Sequence, residues 1–141
     1  MLKIEGISVD RIYDVVSGYK TISNICDFIV YKYPNIYYSE CKSHLGNTFP
    51  LSKLTQYDKL VQKVGIKGVR TGVFIWFRDH QKVIYVPIKT ITKMKQDGKK
   101  SVNITTIDKD GYRYYDVPSV QLRVFMDSDY SGLFDWAQEG D

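Results

Sequence analysis

Apolar and polar positions change period several times along the chain, and each change predicts an element. Residues 26 to 33 (Cys-Asp-Phe-Ile-Val-Tyr-Lys-Tyr) and 36 to 43 (Ile-Tyr-Tyr-Ser-Glu-Cys-Lys-Ser) are rich in β-branched and aromatic residues. Pro34-Asn35 between them is a turn signal, so the two runs predict a β-hairpin. From Ser52 the period lengthens: Leu54, Tyr57, Leu60, Val61 and Val64 recur at helical spacing, Ser52 is placed to cap the start and Gly65 to end it. Thr71 to Phe77 and Lys82 to Ile88 predict two more strands around Arg78-Asp79-His80-Gln81, followed by a short lysine-rich helix or loop from Thr90 to Gly98. Val102 to Ile107, Tyr112 to Val117 and Leu122 to Phe125 read as short strands, with a turn at Asp110-Gly111 and a frayed Gly140-Asp141 end. The expected sheet has at least four strands. No repeat or linker interrupts residues 1 to 141, which predicts a single domain of α/β class.

Composition supports that picture and adds a charge asymmetry. With 43% hydrophobic and 26% charged residues, the chain has the balance of an ordinary globular protein. No apolar run approaches the roughly 20 residues of a membrane span, and Met1-Leu2-Lys3-Ile4-Glu5 has no apolar signal-peptide core. A cytoplasmic protein is the expectation. The two cysteines, Cys26 and Cys41, have no histidine at ligand spacing and are expected to be reduced packing residues. Residues 108 to 141 carry a net charge of −5 and the first 107 residues carry +9. Such a balance suits a polyanionic partner, because neutralised phosphates release counterions, although a solvated lysine-rich surface has the same composition.

The most specific chemistry lies on the hairpin. Asp27 stands thirteen residues before Glu40, and Lys42 follows two later. If the Pro34-Asn35 turn is symmetric, Asp27 lies opposite Lys42 and diagonal to Glu40. Directly opposed Cβ atoms are then roughly 5 Å apart and diagonal ones roughly 7 Å. Glu40 and Lys42 share a face from which Cys41 points away. Two carboxylates there suit Mg²⁺, which polarises a phosphate and activates water, with Lys42 orienting that water or countering charge on the phosphate. The same trio also reads as an Asp27–Lys42 cross-strand ion pair that leaves Glu40 at a sheet edge, and spacing alone favours that reading.

The residues around the trio resemble the RecU-type Holliday-junction resolvases and their phage relatives. The resemblance runs through Ser23-Asn-Ile-Cys-Asp27, Tyr38-Ser-Glu-Cys-Lys-Ser-His44 and Gly46-Asn-Thr-Phe-Pro-Leu51, then Gly72-Val-Phe-Ile-Trp-Phe77, Gly98-Lys-Lys-Ser-Val102 and the segment Pro118 to Tyr130. It covers about residues 7 to 131 in motif order. It implies a PD-(D/E)xK, restriction-endonuclease-like fold, in which a central mixed β-sheet is flanked by helices. It also implies a homodimer and an endonuclease that resolves four-way DNA junctions by paired nicks with Mg²⁺, or Mn²⁺ in its place. By that similarity Asp27 and Glu40 are metal ligands and Lys42 is the catalytic lysine. A phage-encoded member would act in the host cytoplasm.

Two departures from the family pattern bear on activity. The family's helix glutamine is replaced by Asp58, with Gln56 two positions earlier, and the N-terminal segment before Arg11 is short, with Glu5 the acid placed to substitute for the family's N-terminal one. They motivate the alternative of a catalytically weak or inactive nuclease-fold protein that binds branched DNA. Candidate DNA contacts are Lys20, His44, Lys53, Lys99 and Lys100, with Lys89, Lys93 and Lys95 extending the basic stretch. The Gly98-Lys99-Lys100-Ser101 segment reads equally as an exposed turn. His80 is expected to be a turn residue. The many tyrosines, including Tyr31, Tyr33, Tyr37 and Tyr38, are expected in core or dimer packing.

Overall fold

The computed structural model describes residues 6–12, 15–17, 20–22, 26–121, 126–128 and 130–140. Glu5, Asp141 and the strand expected at Leu122 to Phe125 lie outside them. Twelve strands are β1 Ile7–Arg11, β2 Val15–Ser17, β3 Lys20–Ile22, β4 Phe28–Lys32, β5 Asn35–His44, β6 Thr48–Pro50, β7 Val69–Phe77, β8 Lys82–Pro87, β9 Ser101–Asn103, β10 Tyr115–Val117, β11 Ser119–Gln121 and β12 Met126–Ser128. Three α-helices are α1 Tyr57–Val61, α2 Ile88–Gln96 and α3 Ser131–Gly140. Six of the strands form a mixed sheet in the order β1-β4-β5-β7-β8-β10. β5 and β7 run parallel and the other neighbours antiparallel. Parallel neighbours need a crossover, and the segment from β6 through α1 supplies it.

The central strands read as near-continuous apolar runs because both faces are covered. On one face Val73, Ile75 and Phe77 of β7 and Ile84 and Val86 of β8 pack with Leu60, Ile88, Ile91 and Met94 from α1 and α2. On the other, Phe74, Val83 and Tyr85 meet Leu133 of α3, and Val30 and Tyr37 meet Phe134 and Ala137. Gly72 shows how tight the second face is: an added Cβ would overlap the ring of Tyr85, which is 1% exposed and packed on Phe74 and Trp136. Gly72→Ala is therefore expected to destabilise the fold by about 1–3 kcal/mol, measured by thermal or urea unfolding. An unchanged midpoint would show that the ring yields freely.

Several sequence expectations change in the folded chain. The helix expected from Ser52 divides into a 3-10 turn, Leu51–Lys53, and the five-residue α1. Ser52 caps nothing; Leu51 N–H donates to Lys100 O and Leu54 leaves helical geometry at ψ 75°, so a contact distant in sequence overrides the helical period. Gly65 does not end the helix, which stops at Val61 with Gln62 as its C-cap; at φ +89° Gly65 closes the turn that follows. The lysine-rich segment is helical and starts at Ile88, burying Ile88, Ile91 and Met94 and exposing Lys89, Lys93 and Lys95. Its end is a Schellman cap: Lys99 N–H donates to Met94 O and Gly98 N–H to Lys95 O, with Gly98 at φ +81°. The strands expected over Val102 to Ile107 and Tyr112 to Val117 shorten to β9 and β10. α3 was unanticipated, although Leu133, Phe134 and Ala137 have helical spacing. Among the described residues no helix is long and apolar enough to cross a membrane.

Candidate metal centre

The hairpin forms, but its register is two residues away from the symmetric expectation. Tyr33 and Pro34 are the turn residues and Asn35 already belongs to β5, so Phe28 pairs with Ser39 and Ile29 with Tyr38. Continuing that register sets Asp27 opposite Glu40, not opposite Lys42. This register draws the two acids together, since directly opposed side chains are closer than diagonal ones.

Asp27 lies one residue before β4, in a bend held by two backbone contacts. Its carbonyl accepts Ile12 N–H at 2.7 Å, and its Oδ2 accepts Cys41 N–H at 2.9 Å. Glu40 sits on the α1/α2 face of the sheet and is 3% exposed. Lys42 Nζ stands 3.5 Å from Glu40 Oε1, with the lysine side chain 24% exposed. The cation therefore reaches from solvent to the buried acid, while Glu40 Oε2 has no hydrogen-bond donor. Burial above all, and then the carboxyl of Asp27 beside it, push Glu40 up to about 8, and Lys42 offsets only part of this. The edge-strand ion pair between Asp27 and Lys42 is not the geometry found: Lys42 pairs with Glu40, and β5 is an interior strand.

A buried carboxylate oxygen that accepts no hydrogen bond costs several kcal/mol unless a proton or a cation compensates it. The pair offers hard oxygen donors, one of them without a partner, and so fits Mg²⁺, an ion that binds through one or two carboxylates and retains waters. Asp27 and Glu40 would hold it. Among the described residues no three His, Cys, Asp or Glu side chains gather as a metal group. Asp58, exposed in the first turn of α1, thus adds no third acid to the pair.

The remaining candidates separate by position. His44 lies on the same face beyond Lys42, with its ring edge-on to Phe49 at 5.9 Å and to Phe77 at 6.3 Å, so it packs as well as facing outward. His80, in the turn after β7, hydrogen-bonds Asn47 at 2.6 Å, and Asp79 accepts Gly46 N–H at 2.7 Å; together they tie down the loop after His44. The pairing of Leu51 with Lys100 and of β6 with β9 brings exposed Lys53 and Lys100 onto one ribbon. Lys99 is exposed and points to Asp110 at 3.8 Å. For Lys20 only the backbone, in β3, is described.

Both cysteines are free thiols, but only Cys26 is a packing residue; Cys41 is exposed. Burial pushes Cys26 up to about 11, which keeps it a thiol at neutral pH. Tyr37 is buried, whereas Tyr31 and Tyr33 are 47% and 77% exposed and pack in no core. Sequence reading missed Lys63, whose ammonium lies 5.8 Å from the ring centre of Tyr38, two residues before Glu40. No periodicity signals it, because the crossover alone carries it to that face. No protein-family model matches the chain, and no curated protein matches it.

Proposed function

We propose that the protein is a Mg²⁺-dependent DNA endonuclease of restriction-endonuclease-like fold that resolves four-way junctions by paired nicks. The observation that carries the reading is the acid pair: a buried Glu40 with an unpartnered oxygen, Asp27 opposed to it, and Lys42 at its side. The mixed sheet and the resemblance to RecU-type resolvases support it. Mg²⁺, or Mn²⁺, supplies charge compensation for the phosphate and lowers the pKa of water. Asp27 and Glu40 fix its place. Lys42 donates hydrogen bonds to the attacking oxygen or to the phosphate and counters the charge that grows as the new P–O bond forms and the old one breaks. A homodimer with one site per protomer would nick two opposed strands of a two-fold symmetric junction. A cytoplasmic location, that of the host for a phage protein, belongs to this reading.

Labelled four-way junction, flap and duplex DNA, each with and without Mg²⁺, test it. Symmetric nicks on the junction alone are expected. Cutting of flap or duplex equally well would keep the nuclease and remove the junction specificity. The second reading, a protein that binds branched DNA without cutting it, is favoured by one observation: Asp58 adds no ligand to the two acids. Junction binding with no product at any metal concentration would select it. Lys42→Ala is expected to lower the cleavage rate about a hundredfold while Mg²⁺ binding, followed by calorimetry, persists. Loss of metal binding in that variant would assign Lys42 a structural role instead.

A further inference from the structure

A cleft lies away from the acid pair. It has a volume of about 340 Å³ and opens at the start of β7, between the loop ending at Gly68 and the first turn of α2. Asn35 of β5 forms part of its wall, five residues from Glu40 along the same strand, or roughly 17 Å at strand rise. One small molecule cannot span both places.

The lining is one-signed. Lys67, Arg70 and Lys89 contribute to it and no acid does. Lys67 and Lys89 are exposed, and neither forms a salt bridge among the described residues. Pro87 caps α2 with no side-chain acceptor, so the N–H groups of the first helical turn lack that partner and the positive end of the helix dipole lies beside the cleft. Deeper in, Asn35 and Thr71 are only 5% and 7% exposed. Both residues line the cleft. Here they border an open, positively charged space. Ile66, 50% exposed, gives the rim an apolar surface.

These features specify a ligand with an anionic end and a flat apolar body. Two lysines and a helix N-terminus suit a phosphate, Asn35 and Thr71 offer hydrogen bonds to it or to a sugar, and Ile66 can cover a base. The volume exceeds what a bare phosphate fills and falls at the low end of small-ligand pockets. We propose that this cleft binds a nucleoside monophosphate unit, either as a free nucleotide or as one residue of a DNA strand. The site stands whether or not the acid pair cuts DNA.

The test is a titration of the full chain, in EDTA and at low salt, followed by amide chemical shifts. The probes are inorganic phosphate, dAMP and an eight-nucleotide single strand. Shifts at Gly65 to Thr71 and at Lys89 are expected with dAMP, and more weakly with inorganic phosphate. Tighter binding of the oligonucleotide identifies a strand as the source, and equal or weaker binding identifies the free nucleotide. The exposed-site double variant Lys67→Ala/Lys89→Ala is expected to weaken dAMP at least about tenfold without altering the fold. Silence of the cleft amides to all three probes overturns the site, as does full affinity in the double variant. Because no metal is present, failure here is separate from failure of the cleavage assay.

Discussion

Glu40→Gln and Asp27→Asn are each expected to remove Mg²⁺-dependent cleavage of a four-way junction while leaving junction binding close to wild type. Both changes keep side-chain volume and delete a negative oxygen from the pair. Compensation of transition-state charge by a bound metal is worth several kcal/mol, so the rate should fall by about a thousandfold or more. Binding should survive because Lys53 and Lys100 lie on the separate β6–β9 ribbon, not in the acid pair. Rate measurements with excess protein, beside binding measured in Ca²⁺ or EDTA, separate the two effects. A variant that cuts at the wild-type rate would refute the assignment of these acids.

The second large effect concerns stability and pH without metal. Glu40 titrates near 4.5 when unfolded and is raised to about 8 when folded, chiefly by burial and then by Asp27. Between those values the folded state holds a proton that the unfolded state has released, so stability decreases as pH rises. The contribution is complete below pH 4.5 and is lost as pH passes through about 8. The loss is on the order of a few kcal/mol. Glu40→Gln, which stays neutral, should flatten this slope and be the more stable protein at pH 9 in EDTA. Mg²⁺ should raise the melting temperature of the wild type at pH 8 to 9 and do little for the Gln variant, since a ligand stabilises the state that binds it. Parallel pH profiles for the two proteins would show that Glu40 carries no such proton.

Legibility followed the range of the interactions. The hairpin, β7, β8 and the helical character of the lysine-rich segment are written in local period, because their side chains meet a core on a fixed repeat. Asp27, Glu40 and Lys42 were legible for the same reason: a strand acid and an acid-x-lysine pair on its neighbour share a face whenever the hairpin loop has an even number of residues. Their register was not, because it depends on whether the turn centres on Tyr33-Pro34 or on Pro34-Asn35, and one residue of displacement shifts the pairing by two. α1 was overestimated because helical spacing cannot report the bond from Leu51 to Lys100.

The amino-acid sequence alone determined the α/β pattern, the basic balance of the first 107 residues and the three side chains of the candidate centre. Tertiary structure decided that Asp27 opposes Glu40, that Glu40 is buried with a free oxygen, and that Asp58 stays apart. It also built the cleft of Asn35, Lys67, Thr71 and Lys89 from three separate stretches of chain. The physical reason is that hydrophobic period is a property of one segment. Burial, charge compensation and cleft shape depend on which distant segments come to lie beside it.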